Sequence, residues 1–426
     1  DSADIHGIDM FQAAVAQLLK QEQFEQLDCL ADGYRAQKAK FSGGLWKLHT
    51  LYFSLNDPRV GHATDEDWKI HLGRLERWTT VRPASITARV ALAKAYFGYA
   101  SFARGDGTAD TVSETGWRLH AERIAKAKQI LEQASTLTSK CPEWYLGMQE
   151  IALGLQWKAD EETALLQRAI AFDPSYYYYY RMHAAYLLPK WMGKPGDASR
   201  FAEQSADRLG GKAGDILYFQ IAQKIVCACN EPEFAGLSWP RMKRGYLALE
   251  QESGFSMTNL NLFTLMAVEA QDSEAANDGF TRIGGNWSRD TWMTEEFFRG
   301  TKDWASHSAV ADARFRTIKE AAQANMQTVE GPQYKKEFDQ KFASLMKPCV
   351  ESEGGDLEKF EFMVQVEKDG GIHDVWVPRL TAVSRCLFTA LTMVHQRQEK
   401  PFPLPPKPEY WVHLDLDPST FVVASK

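Results

Sequence analysis

The pattern of apolar residues changes near Cys349, and this change limits the fold more than any other feature of the sequence. Up to about residue 325, successive segments carry apolar residues at the three-four spacing of amphipathic helices. From Cys349 onward the pattern indicates two strands, a helix, a proline-rich link and a third strand. We therefore predict a mainly α protein, with a helical domain at 1–328 and a small α+β module with its preceding helix at 329–426.

Short breaks separate the predicted helices and favour antiparallel neighbours. Pro142 and Pro174 each follow a helix rich in small residues and precede aromatic residues, Trp144 in one case and Tyr176 in the other. A helical hairpin of about 34 residues with this punctuation resembles a tetratricopeptide repeat. The number of repeats stays open, and an irregular helical domain is the alternative.

The stretch 10–305 also resembles a bacterial family of uncharacterised helical-repeat proteins. That resemblance implies the helical fold and carries no activity with it. It depends on dispersed motifs, namely Arg82-Pro-Ala-Ser85, Ala103-Arg-Gly105, Asp173-Pro174, Leu188-Pro-Lys-Trp191, Asn261-Leu-Phe263 and Gly284-Gly-Asn-Trp287.

The C-terminal module begins with a strand whose apolar and other residues alternate over 360–367, as in a half-buried strand. Lys368-Asp-Gly-Gly371 is a hairpin turn, because Asp-Gly and Gly-Gly tolerate positive φ. The chain returns as a strand over 372–377, a helical stripe follows from Thr381, and alternation resumes over 410–416. The stripe puts Cys386 on the buried face of its helix.

This order of elements over 355–418, with its Pro-Pro pair, resembles the C-terminal domain of TonB-type energy transducers. The chain departs from a transducer because it shows neither an N-terminal membrane helix nor a long proline-rich spacer. The resemblance therefore implies a docking or assembly module, and we expect no energy-transducing role.

Six cysteines form neither a dense disulfide framework nor a metal pattern. Cys349 and Cys386 both lie in the module, and we predict a disulfide between them, with two reduced core cysteines as the alternative. Such a bond persists in an oxidising compartment. The sequence begins at Asp1, as a processed exported chain would, although a trimmed chain would look the same. We therefore expect a periplasmic or extracellular protein; the states of Cys29, Cys141, Cys227 and Cys229 stay open.

Composition and motifs argue against several classes of function. A net charge of -7 does not suit a nucleic-acid binder. No apolar run is long enough to span a membrane, and no known nucleophile, phosphate-binding or zinc motif is present. His373-Asp374 and His413 with Asp415 would approach each other if their strands were neighbours. Exposed polar faces of a sheet produce such pairings by chance, and we predict no metal, cofactor or catalytic residue.

The sequence thus favours a non-catalytic exported scaffold, or an accessory subunit, that binds proteins or itself. Candidate interaction residues are Tyr176, Tyr177, Tyr180, Trp191, Trp411 and His413. The last strand, 410–416, has a free edge that would accept a partner strand unless the tail at 421–423 covers it. The alternatives are an enzyme, or a small-ligand binder whose site lies in the concave face of the array beside residues 172–191.

Overall fold

The structure is a computed structural model that describes residues 2–105, 111–227, 234, 236–306, 308–352, 358–377 and 381–421. Within these ranges it contains 19 α-helices and three β-strands. The chain is therefore mainly α with a small α+β module, as predicted. No helix in the described part is long and apolar enough to cross a membrane.

The chain forms two compact units whose limits differ from the predicted boundary at 328/329. The first unit comprises the described residues up to 227 together with 236–263 and 283–288. The second comprises the described residues of 264–282 and 289–426. Helices that precede residue 328 belong to the second unit because they pack on its sheet and on its last helix.

The first unit is built from helices that contact their neighbours in sequence. Helices α5, α7, α9 and α11 also contact one another in turn, which is the neighbour pattern of stacked helical hairpins. The helices that begin in this unit are α1 (Ser2–Lys20), α2 (Phe24–Gln37), α3 (Lys47–Phe53), α4 (Asp65–Val81), α5 (Ile86–Arg104), α6 (Glu114–Ala134), α7 (Pro142–Gly154), α8 (Ala159–Phe172), α9 (Tyr178–Tyr186), α10 (Asp197–Leu209), α11 (Gly211–Cys227), α12 (Trp239–Ser253) and α13 (Met257–Glu269).

Polar residues at helix starts explain where several of these helices begin. Thr64, the N-cap of α4, accepts a hydrogen bond from the Asp67 amide, and the Asp67 carboxylate accepts one from the Thr64 amide. This reciprocal arrangement is a capping box. Ser85 and Ser113 cap α5 and α6 in the simpler way, through one side-chain oxygen each.

The second unit takes in the last turns of α13 and the module. Its sheet has the order β2-β1-β3, with β1 antiparallel to both neighbours and a register shift between Gln365 and Val366. Its further elements are α14 (Ser273–Ile283), α15 (Arg289–Trp292), α16 (Glu295–Ser306), α17 (Ser308–Met326), α18 (Gly331–Ser352), β1 (Phe360–Val366), β2 (Ile372–Trp376), α19 (Ala382–Gln396) and β3 (Tyr410–Leu416).

Both faces of the sheet are covered, which corrects the prediction of a half-buried first strand. Phe362 and Val364 of β1 pack on one face with residues of α18 and α19. On the other face Met363 packs against Ile318 and Ala322 of α17 and is fully buried. Alternation along β1 therefore separates two buried faces rather than a buried and a solvated one.

The proline-rich link packs back onto the hairpin turn. The Phe402 amide donates to the Gly370 carbonyl (3.2 Å), and the Phe402 ring stacks on Phe338 of α18 with centroids 4.2 Å apart. Gly370 has φ of 85°, and a Cβ there would lie 2.3 Å from the Phe402 carbonyl oxygen. Only glycine tolerates both the positive φ and the lack of room for a Cβ, which explains the glycine at this position of the turn.

The sulfur atoms of Cys349 and Cys386 lie at disulfide distance, 2.05 Å apart, with their Cα atoms separated by 5.6 Å. Cys349 lies inside α18 rather than in a segment before the first strand, so the bond joins two helices on the same face of the sheet. Cys386 is half-buried rather than fully buried. Of the other cysteines, Cys29 is exposed and Cys141 is buried without a disulfide. The side chain of Cys227 and the whole of Cys229 lie outside the described residues.

Removing this bond is expected to destabilise the second unit. The two cysteines are 37 residues apart, and closing such a loop is worth about 4 kcal/mol in the chain-entropy model. Cys349→Ala combined with Cys386→Ala should lower the free energy of unfolding of the second unit by about this amount, measured by denaturant unfolding. Cys29→Ala is the control. Equal stability of the double variant and the wild type would show that the bond does not form.

Candidate functional site: a groove beside an edge strand

A groove of about 620 Å³ runs along β2 within the second unit. Its walls come from β2, α16, α17 and α19, with Val268 and Gln271 at one end. A volume of this size lies within the range of ligand pockets in proteins. Five aromatic side chains contribute to its lining: Phe297, Trp304, Phe315, Trp376 and Phe388.

Two contacts fix α19 as one wall of the groove. The rings of Phe297 in α16 and Phe388 in α19 meet with centroids 5.4 Å apart. Near the groove, the buried Glu269 of α13 forms an ion pair with Arg385 of α19. Burial raises the pKa of Glu269 above its ordinary value, and Arg385 opposes this shift without cancelling it. A charge pair with one partner this deeply buried is specific in its geometry, so it fixes the position of the helix.

The strand beside the groove is at the edge of the sheet, and its outward backbone groups are bonded to side chains. The Ile372 carbonyl accepts from His395 Nδ1 (2.6 Å), and the Val375 amide donates to the Asp374 carboxylate (2.8 Å). In an antiparallel pair, alternate residue pairs point away from the partner strand. The register, in which Val364 faces Val375 and Val366 faces Ile372, agrees with this outward orientation.

Several polar side chains of the groove have partners within the protein. Arg314 of α17 lies 3.6 Å from an Asp303 carboxylate oxygen and 3.8 Å from one of Asp374, with its guanidinium 5.0 Å from the Trp376 ring centroid. The hydroxyls of Thr301 and Thr392 donate to carbonyls of their own helices. The lining residues in the described part of the chain include no serine, cysteine, tyrosine or lysine that would act as a nucleophile.

The five tyrosines at 176–180 are core residues, which corrects their assignment to an interaction surface. All five, including the candidates Tyr176, Tyr177 and Tyr180, are between 0% and 6% exposed. Helix α9 begins only at Tyr178, and α7, α8, α10 and α11 all contact it. The aromatic segment 172–191 therefore does not line the groove. Trp191, by contrast, is 48% exposed.

The two candidates on β3 face α17. Trp411 packs beside Met363 with α17 residues, and His413 Nε2 lies 3.0 Å from a Glu361 carboxylate oxygen. The strand edge predicted to accept a partner is partly closed, because Asn325 Nδ2 donates to the Trp411 carbonyl (2.9 Å). The side chain of Phe421 and residues 422–423, predicted to cover that edge, lie outside the described residues.

The predicted approach of His373-Asp374 to His413 and Asp415 does not occur. Their strands, β2 and β3, lie on opposite sides of β1. His373 Nδ1 instead lies 3.3 Å from a Glu367 carboxylate oxygen. Among the residues the structure describes, no group of three or more histidine, cysteine and acidic side chains is placed to hold a metal ion.

A buried charge network in the first unit was not predicted. Glu143 is fully buried, its carboxylate lies 3.0 Å from Lys94 Nζ and 2.7 Å from His49 Nδ1, and Tyr176 donates to it. Burial acts to raise the pKa of Glu143, but Lys94 and His49 outweigh it and lower the pKa from 4.5 to about 2. In sequence, Glu143 resembles an ordinary acid in a first helical turn, where the helix dipole favours one.

A second unpredicted pair lies at the start of α8. Glu162 belongs to the acidic run that predicts a helix start, and α8 does begin there. However, Glu162 is buried, pairs with His183 Nδ1 and accepts a hydrogen bond from Gln149 Nε2 (3.2 Å). Buried carboxylates of this kind need a partner, and here the partner comes from the next helix.

Comparison of the chain with models of known protein families, with curated proteins and with solved structures gives no match. The geometry of the two units is therefore the basis for any inference about function.

Glu143→Gln is expected to destabilise the first unit at neutral pH by about 3 kcal/mol, because a buried lysine loses an ionised partner. The folded-state pKa of Glu143 lies below its ordinary value, so its ionisation stabilises the fold above about pH 4.5. This contribution is lost as the pH falls towards 2. Denaturant unfolding between pH 7 and pH 3 should therefore show a steeper loss of stability in the wild type than in the variant.

The matched control is Glu132→Gln, which removes a carboxylate of an exposed i,i+4 pair with Lys128. Such pairs contribute at most about 0.5 kcal/mol. If Glu143→Gln had the same pH profile as the wild type, folding would not lower the pKa of Glu143, and its ionisation would not stabilise the fold.

Proposed function

We propose that this protein is a non-catalytic binding protein, and that it holds an extended segment of a partner protein as an added strand beside β2. The observation that carries the proposal is the groove along an edge strand whose outward groups, the Ile372 carbonyl and the Val375 amide, have only side-chain partners at present. An added strand would replace both partners with main-chain hydrogen bonds, as in other cases of β-augmentation.

The shape of the groove supports an extended ligand. One wall is the strand β2, and α16, α17 and α19 supply most of the remaining lining, with Phe388 and Leu391 from α19. Side chains of an added strand alternate between the two faces, so one set would enter the aromatic lining. Apolar and aromatic contacts would then supply affinity, and the main chain of β2 would set the direction of the ligand.

The polar chemistry of the groove supports binding rather than catalysis. Its threonine hydroxyls bond to helix carbonyls or cap a helix start, as Thr294 does through the Phe297 amide. Among its charged residues, Arg314 lies beside Asp303 and Asp374. The described lining carries no serine, cysteine, tyrosine or lysine, and we therefore propose binding rather than catalysis.

We also propose that the protein acts in an oxidising compartment such as the periplasm or the extracellular space. The pair Cys349 and Cys386, at disulfide distance, supports this compartment.

In this proposal the helical hairpins of the first unit, which resemble tetratricopeptide repeats, form a further protein-binding surface. Trp191 and Met192, 48% and 41% exposed, are candidate contacts on it. The second unit, which resembles a TonB C-terminal module, is the docking unit.

A second candidate function is the binding of a small apolar molecule in the same groove. The volume of about 620 Å³ and the aromatic lining favour it. The alternative predicted from the sequence placed such a site in the helical array, beside residues 172–191. Burial of the tyrosines at 176–180 argues against a pocket at that part of the segment, and we propose the groove in the second unit instead.

Gly300→Phe is expected to abolish binding of either ligand. Gly300 lines the groove, and a Cβ added there meets no atom within 4 Å, so a larger side chain would fill the groove without a clash. Peptides selected from a random display library on the full chain should lose at least tenfold in affinity for the variant. Gly33→Phe is the matched control, because Gly33 is also a helical glycine with open space around it. Equal binding by the two variants would place the site elsewhere.

Val375→Pro distinguishes the two candidate ligands. Proline removes an outward amide without removing a bond to β1, so the sheet should remain intact while an added strand loses one main-chain contact. We expect selected peptides to bind at least tenfold more weakly, and small aromatic molecules such as a naphthalene sulfonate to bind as before.

Asp415→Pro is the control on the opposite edge. Asp415 has the same orientation as Trp411, whose carbonyl faces away from β1. If this variant lost peptide binding and Val375→Pro retained it, the partner strand would pair with β3, as the sequence predicted.

A further inference from the structure

We infer that the segment bound in the groove carries an arginine or a lysine, whose cationic group takes the place that Arg314 holds in the structure. This inference depends on the proposed function, because it concerns the ligand of the same groove. It goes further by naming the residue type that the groove selects.

The guanidinium of Arg314 lies among side chains that are suited to binding a cation. Carboxylates of Asp303 in α16 and Asp374 in β2 lie 3.6 and 3.8 Å from its guanidinium nitrogens. The Trp376 ring is below the guanidinium, with 5.0 Å between the guanidinium carbon and the ring centroid. An indole face and two acids from different elements are the groups that recognise a guanidinium or ammonium ion.

Arg314 itself interacts only weakly with the two carboxylates. The Arg314 side chain is 50% exposed, and Asp303 and Asp374 are 59% and 40% exposed. Neither oxygen lies within direct hydrogen-bonding distance of the guanidinium, and ion pairs this exposed contribute at most about 1 kcal/mol. Arg314 can therefore move into solvent at little cost when another cation arrives.

Strand addition would prepare the site for the incoming cation. The Asp374 carboxylate accepts a hydrogen bond from the Val375 amide (2.8 Å), in the place that a carbonyl of an added strand would take. Once the strand binds, this carboxylate is released from the amide and is available for a side chain of the ligand. Main-chain pairing and recognition of the cation are thus coupled through one residue.

The charge of the groove favours a basic ligand over a neutral or acidic one. With Arg314 displaced, the charged lining residues are Glu296, Asp303 and Asp374 against Arg299 alone. A basic residue of the ligand offsets the negative charge of the lining, whereas an acidic residue is repelled by it.

The inference is tested with short peptides that alternate threonine and valine and differ only at a central arginine, lysine, citrulline or glutamate. Their affinities for the full chain are measured by fluorescence anisotropy. We expect arginine and lysine peptides to bind up to about fivefold more tightly than the citrulline peptide, which keeps the shape of arginine without its charge. Asp303→Asn should reduce this preference.

Arg314→Gln provides the sharpest variant, because it empties the cation site. It should raise the affinity of the arginine peptide several-fold and leave that of the citrulline peptide nearly unchanged. The matched control is Arg397→Gln. Arg397 also belongs to the second unit and lies 3.7 Å from a Glu399 carboxylate oxygen, but it does not line the groove.

The outcomes separate failure of this inference from failure of the proposed function. Equal affinity for the arginine and citrulline peptides, with binding still lost in Val375→Pro, would overturn the cation site and leave strand addition intact. No binding of any peptide to the wild type or to Arg314→Gln would overturn both. Concentration-dependent protection of 372–376 from hydrogen exchange without peptide would show that a second copy of the chain occupies the edge, and it would also overturn the inference.

Discussion

The packing of α17 on the sheet is the interaction on which the proposed binding site depends. Met363, in the middle of the central strand, is fully buried against Ile318 and Ala322, so the face opposite α18 and α19 is closed to solvent. The same helix ends near β3, where Asn325 bonds to the Trp411 carbonyl and accepts from the Tyr410 hydroxyl (3.2 Å). A three-stranded sheet exposed on one face would offer that face to partners. With both faces covered, recognition moves to an edge of the sheet, and the edge beside the groove is β2.

Stability and binding are linked in the second unit through α19. The pair Cys349 and Cys386 ties this helix to α18, and Arg385, one residue earlier, forms an ion pair with Glu269. The same helix contributes Phe388 to the groove and His395 to the edge of β2. Loosening α19 would therefore widen the groove and also release the Ile372 carbonyl. This explains how a structural crosslink and a binding surface can belong to one element.

Local signals made much of the fold predictable from the sequence. The alternation over 360–367 located β1 to within one residue, the alternation over 410–416 located β3 at its observed limits, and the change to helical spacing after Thr381 located α19. These signals arise within single elements. The second buried face of β1 could not be predicted, because Met363 and Gln365 occupy positions that alternation assigns to solvent, and the helix that covers them lies in a distant part of the chain.

The candidate site was harder to predict for the same reason. The groove depends on residues from α16, α17, β2 and α19, and no spacing in the sequence connects them. Likewise Glu143 resembles a surface acid until Lys94 and His49, from other helices, are placed around it. The tyrosines at 176–180 illustrate the opposite case: a conspicuous run of aromatic residues is core, because four helices enclose it. Composition alone does not distinguish an aromatic surface from an aromatic core.

The most direct test of strand addition beside β2 is hydrogen exchange of the backbone amides of the full chain, with and without a bound peptide. Added-strand pairing would slow exchange over 372–376, most of all at the outward Val375 amide, and leave 410–416 unchanged. Unchanged exchange over 372–376 at saturating peptide, or slowing confined to 410–416, would contradict the account.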